Sequence, residues 1–141
     1  VSQTDTNEAQ QYSATISEEI EALNALTADP YEKDLREALL SRLEFDHLDP
    51  TLDGWEILSV WLNESVLDVS VQIDTRKDTL NGRVVLLRTV GGPRCEVVRE
   101  YGNGDTVEVL TWWAGEYGRS VVWASQFAHY LDQLIESHHD Y

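Results

Sequence analysis

Residues 94–113 read RCEVVREYGNGDTVEVLTWW. Arg94 to Tyr101 and Thr106 to Trp113 are rich in β-branched and aromatic residues, and between them stands Asn103-Gly104, two residues that tolerate positive φ. Strand, tight turn and returning strand is the reading this pattern dictates, and it makes an antiparallel hairpin the seed of the fold. Upstream, Gly82 to Thr89 carries a continuous apolar run suited to a central strand, and Gly91-Gly92-Pro93 turns it into Arg94. Before that, Leu67, Val69, Val71 and Ile73 alternate with Asp68, Ser70, Gln72 and Asp74, as a half-buried strand requires. Downstream, a turn at Gly115 to Gly118 precedes a short strand at Ser120 to Trp123.

Helical periodicity flanks this block on both sides. At the end of the chain, Ser125 to His138 places Phe127, Leu131, Leu134 and Ile135 on one helical face. At the beginning, residues 1–15 show no apolar period and are expected to form a flexible polar arm, after which Thr15 to Glu18 reads as a capping box before Ile16, Ile20, Leu23 and Leu26. A second helix is predicted from Asp29 as N-cap and Pro30 at the first helical position, with Leu35, Leu39 and Leu43 inward and Asp34, Glu37, Ser41 and Glu44 outward. Trp55, Leu58, Trp61 and Leu62 suit a short third helix over Gly54 to Glu64, with a strand as the alternative. The predicted fold class is α+β: N-terminal helices, an antiparallel four- to five-stranded meander sheet and a C-terminal helix, in two layers, forming one domain over residues 16–141.

Composition bounds the function. A chain of 141 residues is the size of one domain. The lone Cys95 forms no internal disulfide and, with no apolar run longer than Val84 to Leu87, points to a cytoplasmic protein without a membrane span. Zinc-type cysteine spacing, paired metalloprotease histidines, a phosphate-cradling glycine loop and a nucleophile elbow are all missing, so no catalytic residue, metal or cofactor is assigned. His47 beside Asp46 and Asp49 reads as a solvated loop, His138 and His139 as part of a fraying terminus, and His129 as a partly exposed helical residue. Cys95 reads as a small core hydrophobe. Trp112 and Trp113 are adjacent in a strand and must face opposite sides; the Gly115 to Arg119 loop is expected to cover the outward one, failing which it contributes to a contact surface.

The charge is the outstanding feature. With 26 acidic and 10 basic residues the net charge is -16, and arginine outnumbers lysine eight to two. Residues 1–50 carry -9, residues 51–100 only -2 and residues 101–141 -5. Such a chain repels nucleic acid and anionic membranes and attracts basic surfaces. The acidic face expected to bind a partner comprises Glu18, Glu19, Glu21, Asp29, Glu32, Asp34, Glu37, Glu44, Asp46 and Asp49. Duplex DNA presents one charge about every 1.7 Å along its axis, and a rigid array of carboxylates can occupy the same basic groove. In size, charge and lack of catalytic motifs the chain resembles the small acidic DNA-mimic proteins of mobile elements that inhibit restriction and CRISPR nucleases, a likeness of class rather than of motif. It implies a non-catalytic inhibitor whose partner is a basic DNA- or RNA-binding protein or nuclease complex. Two alternatives are a salt-adapted cytosolic protein whose acidity serves solubility, and a small enzyme using carboxylates such as Asp68, Asp74 and Glu108. Arg94 and Arg99 on one strand are expected to support either an internal salt-bridge network or a homodimer contact with an acidic helix of a second copy.

Overall fold

The computed structural model describes residues 7–28, 30, 32–74, 80–88 and 93–139. Its order is α1 (Glu8–Thr27), α2 (Lys33–Arg42), α3 (Gly54–Ser65), β1 (Asp68–Ile73), β2 (Gly82–Leu87), β3 (Arg94–Glu100), β4 (Thr106–Trp113), β5 (Glu116–Trp123) and α4 (Ser125–His139). The strands form one antiparallel meander in sequence order, so the α+β class and the flanking helices are as predicted, with five strands. Helix α1 lies across β4 and β5, α4 lies across β1 to β3, and α2 and α3 pack on α1. One face of the sheet is therefore covered, and its side chains Val84, Leu86, Cys95, Val97, Val107 and Val109 are buried against Ile16, Ile20, Leu23, Phe127 and Leu131.

Helix α1 begins at Glu8, with the Asn7 side chain accepting from Gln10 N, and not at Thr15, whose hydroxyl donates to Gln11 O inside the helix. Residues 7–15 thus belong to the domain; Val1 to Thr6 of the expected arm lie outside the described residues. The reason is legible in the packing. Ala9 and Ser13 replace large apolar residues on the buried stripe because the helix meets the sheet at very short range. A Cβ at Gly118 would lie 2.4 Å from the Ala9 carbonyl carbon, and Ser13 Oγ is 2.7 Å from Thr111 Oγ1. The approach is locked by Gln10, whose amide donates to Arg119 O (2.8 Å) and accepts from Arg119 N (2.9 Å), and by Asn7 Nδ2, which donates to Tyr117 O.

In α2 the buried positions are Arg36, Leu39 and Leu40, followed by Leu43 at the C-cap, whereas Leu35 is 45% exposed, a shift of one residue from the predicted stripe. Arg36 takes the inward place because its guanidinium donates to the carbonyls of Pro30, Pro50 and Leu52, tying down both loops around the helix. The residue preceding the helix is Glu32, which makes no side-chain cap; the predicted cap Asp29 lies outside the described residues. Helix α3 forms where predicted, capped by Asp53, with Ile57, Leu58 and Trp61 buried and Trp55 set at its margin against Tyr130.

Two turns differ from expectation. The β3–β4 connection is the five-residue loop 101–105, and its left-handed positions are Gly102 and Gly104 (φ 69° and 61°), not Asn103. The β4–β5 turn is the pair Ala114-Gly115, both with positive φ, the signature of a primed hairpin turn; β5 consequently starts at Glu116 and is twice the predicted length. Gly91 and Gly92 lie outside the described residues. The first strand is an edge strand with Val69 exposed, because α4 covers β1 only in part.

Candidate functional site

The sheet register decides where the charges go. Arg83, Arg94 and Arg119 all point to the uncovered face, and each is ion-paired there: Arg83 with Glu100 (3.0 Å), Arg94 with Glu96 (2.8 Å) and Arg119 with Glu108 (2.6 Å). Arg99 points the other way and is 2% exposed. All five of its donors are used, two on Asp132 of α4 and three on the carbonyls of Asn103, Gly104 and Thr106. Arg94 and Arg99 therefore make internal ion pairs on opposite faces, and Arg99 is too deeply buried to meet a second copy. The four described basic residues of the middle stretch, Arg83, Arg88, Arg94 and Arg99, are thus each in an ion pair.

The helical side is different. Among the described residues, Glu18, Glu21, Glu32, Asp34, Glu44 and Asp46 form no ion pair. A cleft of about 460 Å³ opens between α1, the end of α2, the end of α3 and the end of β2, and it gathers Glu18, Glu19, Glu44 and Glu64 around Arg42, Arg88 and His47. Two of these carboxylates occupy places that local structure disfavours. Glu44 is the left-handed residue (φ 61°) that ends α2, with Glu44 N bonded to Ser41 O and Phe45 N to Leu40 O, a position where glycine is usual. Glu64 sits in the last turn of α3, at the negative end of the helix dipole. No apolar period or cap signature marks Glu64 in the sequence as part of this site.

Glu19 belongs to the floor of the cleft rather than its surface. Its carboxylate accepts from Trp61 Nε1 (3.0 Å) and from Arg88 Nη2 (3.3 Å), while Arg88 Nη1 lies 3.2 Å from Oε1 without hydrogen-bond geometry. The Arg88 guanidinium also stands 5.6 Å from the Trp61 ring centroid. The remaining predicted acids are scattered. Glu37 pairs with Lys33 and shares a second hollow with Asp46, and Asp49 accepts from the Thr51 amide and hydroxyl, which hold its carboxyl below the usual range.

Asp68 and Glu108 both face the open side but stand on β1 and β4, three strand spacings or about 14 Å apart. That exceeds the roughly 5–9.5 Å of working carboxylate pairs. Asp74 follows β1 near Arg83 and Glu100. Cys95 is fully buried, and burial pushes its thiol above the ordinary range. His47 packs edge-on against Phe45, His129 is exposed, and His138 Nδ1 lies 2.8 Å from Leu134 O. Among the described residues no group of three or more His, Cys, Asp or Glu converges on one point, and no helix is long and apolar enough to cross a membrane.

Trp112 lies on the uncovered face, 5.6 Å from Tyr117, and Trp113 on the covered one, where its indole donates to Glu8 Oε2. The expected loop cover over the outward indole does not exist, because residues 116–119 are strand. Trp112, Tyr117, Val121 and Trp123 instead stand exposed over β4 and β5, with Leu110 half-buried among them. Compared with known proteins, the chain matches no family model, no curated protein and no solved structure.

Proposed function

We propose that this chain is a non-catalytic acidic protein that binds the basic surface of a nucleic-acid-binding protein or nuclease complex in place of nucleic acid. One observation carries the reading: every described arginine of the open sheet face is held in an ion pair there, while Glu18, Glu44 and Glu64, none of them in an ion pair among the described residues, are gathered into one cleft on the helical side. Charge used only for solvation has no need of unfavourable backbone. Glu44 nevertheless occupies a left-handed position, which costs a non-glycine residue about 1 kcal/mol, and Glu64 opposes a helix dipole beside it. Both converge on the same cleft as Glu18, which is the arrangement a binding surface requires and a solubility coat does not.

The test is a low-salt pull-down from lysate containing restriction and CRISPR nucleases, eluted by a salt gradient and challenged with duplex DNA. The expected result is recovery of a basic nuclease that DNA displaces, with binding weakened by Glu18→Gln and Glu64→Gln. Glu44→Gly is expected to bind less well while raising the unfolding midpoint, separating affinity from stability. Recovery of no basic partner, together with a fold that melts unless molar salt is present, would leave salt adaptation as the explanation of the charge.

A further inference from the structure

We infer that the uncovered face of the sheet is a homodimer interface, closed by a second copy of this chain packed face to face about a two-fold axis that crosses β5 at Ser120 and β4 at Val109. Beside the axis lies the Arg119–Glu108 ion pair, and exposed apolar side chains flank it on both sides. Trp112 is 39% exposed, Tyr117 48%, Val121 54% and Trp123 66%, and the half-buried Val85, Leu87 and Leu110 lie on the same face toward β2. Two exposed apolar clusters on either side of one ion pair, on a strongly charged molecule, mark a contact site.

Charge selects the occupant. A basic partner is drawn to the helical side, where the unpaired carboxylates are. A second copy, itself at -16, is repelled least by this surface, which bears Arg83, Arg94 and Arg119 against Asp68, Asp74, Glu96, Glu100 and Glu108, two carboxylates in excess. Shape and register agree with that choice. Trp123 stands at one end of β5, and at the other end a hollow is lined by Arg94, Trp112, Trp113 and Tyr117. The two are six residues apart on the same face, about 20 Å. A two-fold axis in the sheet plane, perpendicular to the strands and midway between them, exchanges the ends, so each Trp123 meets the hollow of the other copy. Because Arg119 pairs with Leu110 and Val121 with Glu108 in the register, the same operation brings Glu108 of the second copy level with Arg119. The ion pairs are thereby shared across the contact rather than buried unpaired.

The area suffices. Five strands spaced by about 4.8 Å, each about 23 Å long, present roughly 550 Å² in projection per copy. Burying both exceeds the ~1,000 Å² that specific interfaces clear, and aligned packing of two sheets is a standard solution for such faces.

Sedimentation equilibrium of the full chain tests the inference. The expected result is twice the monomer mass at tens of micromolar, with the dissociation constant falling as sodium chloride rises from 20 to about 500 mM, because screening relieves the repulsion between two acidic bodies. Val121→Lys and Trp123→Ala are each expected to weaken the dimer at least tenfold with unchanged circular dichroism, whereas Val69→Lys, on the covered face of β1, leaves it intact. A monomer at 100 µM in 500 mM salt, or a dimer indifferent to both substitutions on β5, would overturn the proposal.

Discussion

Replacing Asp132 by alanine should be among the most damaging single changes available to this chain. Arg99 and Asp132 are joined by two hydrogen bonds of 2.9 Å, and Arg99 is 2% exposed, so the guanidinium left behind has no route to water. Two of its five donors lose their acceptor while the other three remain held by loop carbonyls, which prevents the side chain from swinging out. Removing one partner of a buried pair costs about 3–5 kcal/mol, a third or more of the total stability of a typical domain. At this size that corresponds to a fall in Tm of about 10–20 °C. Urea unfolding followed by tryptophan fluorescence reads it directly, since Trp61 is buried beside Phe127 of the same helix α4. The midpoint should fall with an unchanged m-value. The double variant Arg99→Met, Asp132→Ala should regain at least about 2 kcal/mol of the loss, because it removes the orphaned charge. A single-variant loss under about 1 kcal/mol would show that the pair is hydrated and that the loop carbonyls alone position Arg99.

Other consequences are open to simpler measurements. Gly118→Ala places a methyl group against the backbone of Ala9 and should cost about 2 kcal/mol or more by lifting the first two turns of α1 from β5; amide exchange should speed up at residues 8–13 before it does in β3. The raised pKa of Cys95, caused first by burial, means that the folded protein keeps its thiol proton when the unfolded chain has lost it. Stability should therefore be full below about pH 8.5 and decline as pH rises through the folded value, and Cys95→Ala should flatten that decline without altering the neutral midpoint by more than a typical core truncation. A Cys95 thiol that reacts with Ellman's reagent in the native state as fast as in urea would contradict the burial argument.

The strands and their order were legible because alternation and turn residues are local signals: β4 ends where the pattern ends, at Trp113. What escaped the sequence was set by close approach and by carbonyl traffic. The first two turns of α1 looked unstructured because their buried residues are Ala9 and Ser13, chosen for smallness, and nothing in Asn7 to Ser13 reports that Gly118, more than a hundred residues later, is waiting for them. Arg36 has no inward signal in the sequence, since a buried arginine announces itself only through the loop carbonyls it satisfies. The acidic candidates were found by charge, yet charge alone does not separate Glu19, which is tied to Arg88 and Trp61, from Glu18 one residue earlier. Glu64 joins them only once α3 is folded back beside α1.

The hold that Gln10 and Asn7 keep on Arg119 and Tyr117 has a meaning beyond docking a helix. A meander sheet is in principle a divalent monomer, with a strand free to hybridise at each end, and divalent units polymerise. Here the two side-chain amides take the outward backbone groups of Tyr117 and Arg119 as a templated strand would, so that end of the sheet acts as a chain stopper. The unit becomes monovalent along its hydrogen-bonding direction: pairing through β1 can join two molecules and then terminates. Growth into a fibre would first require the N-terminal turns of α1 to peel away.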